Sequence, residues 1–216
     1  MIQLNDTNGA SRITLATARQ LMEEFPDVHL VGAEFGVAYG GGVEALGKLW
    51  AGRGTVYGFD TFEGHPKEVA DECEYSAPLG GSQSSFAAGC MDQWYKDPAY
   101  GTDKLSYGYQ VSELARQGID NVFLIKGKIT GKTNISYIKE LHYCLLDLDF
   151  PLSMWQAYHL IKDKVVRGGY LCLHDVIPQG HIPGCWEYYQ QMLAEGLFEL
   201  VQEHAPGTHL VTLRKL

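Results

Sequence analysis

The sequence predicts an α/β protein built on a doubly wound, mostly parallel sheet that ends in a C-terminal antiparallel hairpin. Short apolar runs alternate with segments of helical period along most of the chain, the pattern of strands joined by helical crossovers. The first of these runs stop at an acidic residue on the edge of a turn. The final two, Phe198 to Gln202 and His209 to Arg214, are separated by Ala205-Pro206-Gly207-Thr208, a hairpin signal.

Each element follows from local pattern. Ser11 to Phe25 is an amphipathic helix with Leu15, Leu21, Met22 and Phe25 on or near one face, and Pro26-Asp27 ends it. Val28 to Glu34 is a short strand. Gly41 to Trp50 is a helix with Val43, Leu46 and Trp50 at core spacing, closed by Arg53-Gly54. Thr55 to Asp60 is the second strand. Residues 61–107 lack periodicity but carry Pro78, Gly80-Gly81, Pro98, Trp94, Tyr95 and Tyr100. A loop of that length in a compact domain is usually functional, and its aromatics suggest a lid-like insertion. Val111 to Gln117 is helical, Asn121 to Lys126 a strand, and Leu141 to Asp149 an apolar strand with acids at its end. Leu152 to Val166 is a helix stopped by Gly168-Gly169. Tyr170 to Leu173 is a strand ending at His174-Asp175, and Trp186 to Leu193 is a helix. The whole, residues 1–216, reads as one domain without internal repeats.

A length of 216 residues suits one such domain with a full core. The formal charge of −9 argues against wholesale binding to nucleic acid or an anionic membrane, though not against a small anionic substrate. The five cysteines (Cys73, Cys90, Cys144, Cys172, Cys185) have no Cys-x-x-Cys spacing. Cys144 and Cys172 fall in apolar runs and read as small buried hydrophobes, which suits a reducing compartment. No secretory signal pattern and no apolar run near the ~18 residues of a membrane span is present, so a cytoplasmic protein is expected.

In an open α/β sheet, ligands bind beyond the carboxyl ends of the strands where strand order reverses. Glu34-Phe35-Gly36-Val37-Ala38-Tyr39-Gly40 follows the first strand. It is Glu-x-Gly with a glycine cluster four residues on, not the dinucleotide Gly-x-Gly-x-x-Gly. An acid at this mouth repels a diphosphate but suits a cationic ligand such as the amino-sulfonium end of S-adenosylmethionine. Asp60, ending the second strand, can accept from ribose hydroxyls. Capping of helices or turns is the alternative use of both acids.

Asp147 and Asp149, two apart at the end of one expected strand, share a face. A neighbouring parallel strand would set His174 and Asp175 beside them. Such crowding of carboxylates is relieved by a cation or a shared proton. Oxygen-rich ligation favours Mg2+, then Mn2+, and the imidazole leans away from Mg2+. Metal and base together suit O-methyl transfer, the metal polarising a hydroxyl and a carboxylate taking its proton.

The run Tyr57-Gly58-Phe59-Asp60-Thr61-Phe62-Glu63-Gly64-His65-Pro66 resembles the Phe-Asp-Ser/Thr-Phe-Glu-Gly-x-Pro signature of the macrocin O-methyltransferase family, which methylates sugar hydroxyls of macrolide and aminocoumarin antibiotics. Lys126-Gly127, Leu146 to Asp149 with Arg167-Gly168-Gly169-Tyr170, and Ile182-Pro183-Gly184-Cys185 are similar to further segments of that family. The likeness spans roughly residues 30–190. It implies a seven-stranded class I methyltransferase fold, S-adenosylmethionine, a divalent metal and a homo-oligomer, expected as a dimer. Carried over by position, Asp147 and Asp175 are metal ligands and Asp149 the base. His174 stands where the family usually has aspartate, and Leu148 where glycine is commoner, so His174 is open to a role as ligand or as base. The donor would be held by Glu34, Gly36, Tyr39, Asp60, Thr61, Phe62, Lys126, Gly127 and Asp147.

The expected activity is therefore O-methyl transfer to a saccharide or other small polar acceptor, with no nucleic-acid or membrane partner. The alternatives are a catalytically silent S-adenosylmethionine-binding subunit and a nucleotide-sugar or dinucleotide enzyme. His65 and His181 compete for the cleft, whereas His142, His159, His204 and His209 are expected to be structural.

Overall fold

A computed structural model of the chain describes residues 9–64, 102–176, 183–202 and 209–216. Its strands are β1 (Leu30–Phe35), β2 (Gly54–Asp60), β3 (Val122–Lys126), β4 (Leu141–Leu146), β5 (Val165–Leu173), β6 (Phe198–Gln202) and β7 (Val211–Lys215). Its helices are α1 (Gly9–Glu24), α2 (Gly41–Leu49), α3 (Tyr107–Arg116), α4 (Pro151–Ile161) and α5 (Pro183–Ala194). The strands form one seven-stranded sheet in the order β3-β2-β1-β4-β5-β7-β6. The first five pair in parallel, and β7 runs antiparallel to both β5 and β6. This is the doubly wound sheet with a terminal hairpin that the sequence predicts. Strand order reverses between β1 and β4, so loops leaving their carboxyl ends part to either side and leave a crevice.

Alternation along the strands builds two apolar layers. Leu30, Val56, Tyr143 and Tyr170 face α1 and α2, meeting Ala18, Leu21, Val43, Leu46 and Trp50. Ala33, Phe35, Phe59 and Cys144 face the other way, against Met154, Tyr158 and Ile161 of α4 and Tyr189 and Met192 of α5. The connection between β3 and β4 is not helical; Ile129, Ile135 and Ile138 fold down from it onto this second layer. Trp50 seals the first layer. It is fully buried, and its indole N–H donates to the Ala18 carbonyl at 3.3 Å.

Several boundaries depart from the sequence reading. The strand expected over Leu141 to Asp149 stops at Leu146. Asp149 lies at the apex of a tight turn, with φ 58° and the Phe150 N–H donating to the Leu148 carbonyl at 2.7 Å. Pro151 explains the break, because it holds Phe150 extended and starts α4 at its own position. The helix expected to reach Val166 stops at Ile161, and β5 begins at Val165. Gly168-Gly169 is therefore no helix stop. Gly168, at φ 82°, belongs to an irregularity in the β4–β5 pairing, where residues 141–143 face 165–170. Helix α3 starts at Tyr107 rather than Val111 because the Ser106 hydroxyl caps it, accepting from the Tyr109 N–H at 3.3 Å.

Of the expected lid, residues 65–101 lie outside the described residues, as do the hairpin turn at 205–208, His65, His181 and His204. Cys144, Cys172 and Cys185 are buried free thiols. Among the described residues no helix is long and apolar enough to cross a membrane.

Trp50→Ala should destabilise the chain by about 3–5 kcal/mol, since it empties the layer between α1 and the sheet. Urea unfolding followed by circular dichroism checks this; a midpoint unchanged from the parent would contradict the packing described.

Candidate active site

The crevice is set by one close approach. Gly36 has φ 93°, and a Cβ there would fall inside the van der Waals radius of the Asp147 carbonyl oxygen. The Gly36 N–H donates to the Phe59 carbonyl at 2.9 Å, and the Asp147 N–H donates to the Phe35 carbonyl at 2.8 Å. The turns after β1 and β4 are thus pressed together, backbone on backbone, as only glycine permits.

Asp60 organises the neighbouring loops. Its Oδ2 accepts from the Val37 N–H at 2.8 Å and the Ala38 N–H at 3.0 Å, and its Oδ1 accepts from the Phe62 N–H at 2.7 Å. Its carbonyl accepts from the Gly127 N–H at 2.9 Å. The turn that follows is held by the Thr61 hydroxyl, which donates to the Gly64 carbonyl at 2.6 Å. It places Phe62, buried at φ 54°, edge-on to Tyr107. Asp60 therefore does the capping that sequence reasoning left open, and keeps its place at the cleft wall.

Glu34 is buried at 5 % exposure with its carboxylate against Gly42, in the first turn of α2. Burial, then the charges of Asp147 and Asp60, push its pKa well above the ordinary 4.5.

The resulting cleft encloses about 720 Å³ including its open mouth. Gly36, Asp60, Thr61, Asp147 and Asp149 line it, all singled out by sequence, whereas Glu34, Tyr39, Phe62, Lys126, Gly127, His174 and Asp175 do not. Tyr39 lines a separate groove with Tyr109 and Gln110, and Lys126 pairs on the surface with Glu63. Sequence reasoning missed Leu105, Lys128, Ile129, Phe150 and Ser153, which supply other walls. It also missed Gln110, a buried amide that donates to the Ala38 and Leu105 carbonyls and so ties the glycine turn to the segment before α3. A polar residue inside a short helix carries no signal of such a role.

The acidic cluster assembles, though not by the strand-face argument. Asp147 leaves β4, and His174 and Asp175 leave β5, one strand over. The His174 Nδ1 lies 3.0 Å from Asp147 Oδ1 and 3.1 Å from Asp175 Oδ2. The atom is buried, yet neither contact has the direction of a regular hydrogen bond. Burial disfavours a charged ring, but the two carboxylates outweigh it and raise His174 to about 11. Asp175 resists the upward pull of burial and is held below its ordinary value chiefly by His174. One ligand atom each from Asp147, His174 and Asp175 falls within 4.8 Å of the others. A misdirected buried nitrogen between two carboxylate oxygens fits a divalent cation, whose entry would displace the imidazolium proton.

No protein-family model matches the chain, and no curated protein matches it. Solved structures do. The O-methyltransferase NovP is 17% identical with a TM-score of 0.67, over 95% of this chain and 78% of its own. The calicheamicin methyltransferase CalS11 is 20% identical with a TM-score of 0.58, over 94% and 79%. An rRNA methylase of Streptococcus thermophilus is 16% identical with a TM-score of 0.54, over 94% and 96%. The chain has the class I methyltransferase fold. At these identities the likeness is one of fold, and the class I methyltransferase sheet places the Gly36 turn, Asp60 and Asp147 around its central crevice.

Because folding raises the pKa of Glu34, its neutral form favours the folded state. That contribution is complete below about pH 4.5 and is lost as pH rises through the raised folded value. Glu34→Gln should therefore melt close to the parent at pH 4 and above it at pH 8. Melting curves at both values check this; a variant that melts below the parent at pH 8 contradicts it. Gly36→Ala should cost at least about 1–3 kcal/mol from backbone strain alone, read by denaturant titration.

Proposed function

We propose that the chain is an S-adenosylmethionine-dependent O-methyltransferase that uses a divalent metal and acts on a hydroxyl of a saccharide or other small polar acceptor. The observation that carries this reading is the Asp147, His174 and Asp175 group, whose Asp147 lines the crevice together with Asp149. A glycine turn, an acid at its root and a second acid at the end of β2 support a donor site there. The residues to hold the donor are Glu34, Gly36, Tyr39, Asp60, Thr61, Phe62, Lys126, Gly127 and Asp147. Those outside the cleft wall act by shaping it: Phe62 backs the Asp60 turn, Lys126 holds Glu63, and Gly127 is tied to Asp60.

Bound in the cleft, S-adenosylmethionine would supply an electrophilic methyl group on sulfonium. A divalent ion on Asp147, His174 and Asp175 would polarise the acceptor hydroxyl and ease loss of its proton. Asp149, on its strained turn at the cleft wall, is placed to accept that proton, and the methyl group would pass from sulfur to the acceptor oxygen. His174, as a ligand, would be neutral. Phe150, Leu105 and Ile129 form the apolar walls that limit water around the reacting atoms. Glu34, driven toward its neutral form by burial, would be drawn back to the carboxylate by a bound ammonium group.

NovP is an O-methyltransferase, and CalS11 is described as a TDP-rhamnose 3'-O-methyltransferase, which favours oxygen and a sugar here. The rRNA methylase shares the sheet, but a charge of −9 tells against a polynucleotide acceptor. An intact Asp149 beside the metal group favours an enzyme over a silent subunit. A homodimer and a cytoplasmic location complete the reading.

Titration calorimetry should show micromolar binding of S-adenosylmethionine and none of NAD; the reverse result overturns the donor. Asp147→Asn should weaken Mn2+ binding, read by electron paramagnetic resonance of the free ion, at least about tenfold. Equal Mn2+ binding by parent and variant would remove the metal from this site.

A further inference from the structure

The terminal hairpin brings one more side chain to the metal group. β7 pairs antiparallel with β5, with Leu173 opposite Val211. Continuing that register past the strand ends sets residue 209 opposite residue 175. The backbone bond found there, from the Val176 N–H to the His209 carbonyl at 3.3 Å, is one position off that register and still keeps His209 beside the end of β5. Asp175 and His209 both have left-handed backbones, at φ 58° and 53°. Neither residue is a glycine, so the pairing of the two chain segments holds both conformations in place.

Asp175 is divided between two imidazoles. Its Oδ2 faces His174 Nδ1 at 3.1 Å, within the three-residue group, while its Oδ1 faces His209 Nδ1 at 4.0 Å. His209 lies outside the set of converging ligand atoms. Its ring centre is 6.5 Å from that of His174, and the two rings face different oxygens of Asp175. A separation of 4.0 Å is beyond a direct hydrogen bond and within reach of one through a small side-chain rotation or a bridging water.

We propose that His209 is a positioning residue for the metal site, its Nδ1–H holding Asp175 Oδ1 so that Oδ2 alone is presented beside Asp147 and His174. This rests on the metal reading of that group. A free carboxylate can turn and offer either oxygen or both, whereas a donor on one oxygen leaves the other aimed. Partners of this outer kind typically change metal affinity about 10–100-fold. His209 is 44% exposed and belongs to neither apolar layer, so its removal opens no core cavity.

The experiment measures Mn2+ binding by electron paramagnetic resonance, without donor or acceptor, for the parent, Asp147→Asn, His209→Ala, His209→Gln and His209→Asn. Asparagine can place an N–H near the position of Nδ1; glutamine reaches instead toward Nε2. His209→Ala and His209→Gln should weaken Mn2+ binding about 10–100-fold, and His209→Asn should restore most of it. Thermal melts and S-adenosylmethionine binding should match the parent in all three. If Asp147→Asn weakens Mn2+ while His209→Ala binds as the parent does, the inference on His209 is overturned and the metal site stands. Equal loss in all three His209 variants, with lowered melting temperatures, would assign the residue a purely structural role. A parent chain that binds no Mn2+ overturns the metal reading and the role of His209 together.

Discussion

The geometry of the cleft hangs on the contact between Gly36 and the Asp147 carbonyl. Two adjacent parallel strands end there, and their outgoing chains diverge to opposite faces of the sheet. Without a side chain at 36, the turn after β1 can lie against the turn after β4. Asp60 then fixes that turn by accepting from Val37 and Ala38, while Gln110 holds it from the other side through the Ala38 carbonyl. The rigid edge of the crevice is made of backbone, positioned by one missing Cβ and by the polar side chains of Asp60 and the buried Gln110.

Electrostatics make the same region unsettled without a guest. Glu34, Asp60, Asp147, Asp149 and Asp175 converge on it, while His174 sits among the acids and Lys128 stands on the cleft wall. Each acid meets its neighbours differently. Glu34 is driven toward the neutral form by burial, Asp60 is satisfied by backbone N–H groups, and Asp147 and Asp175 flank the His174 ring. Such an arrangement favours cationic ligands over anionic ones, and it separates a donor side near Glu34 from a metal side near Asp175. Turning β7 antiparallel makes the second side possible, because its start then lies beside the end of β5, bringing His209 to Asp175.

Much of this was legible in the sequence. Alternating apolar runs and helical periods carried the sheet, and the short connection between the last two strands carried the hairpin. The acid-then-glycine turn and the acids at strand ends located the cleft, because strand ends at a switch point are where such sheets bind ligands. Boundaries failed where a single residue overrode periodicity: Pro151 cut β4 from its acids, Ser106 advanced α3, and Gly168 marked a bulge rather than a helix end.

By itself the sequence determined the layers, the parallel order of winding and the residue types at the crevice, since these follow from local pattern and from chemistry carried at strand ends. Tertiary structure alone decided which of those residues share a wall. Asp147 and Asp149 are neighbours in sequence, yet a tight turn separates their roles. Asp175 and His209 are far apart along the chain, and strand pairing makes them neighbours. Gly36 needs its glycine because of a carbonyl 111 positions away, a contact that exists only once β1 and β4 lie side by side.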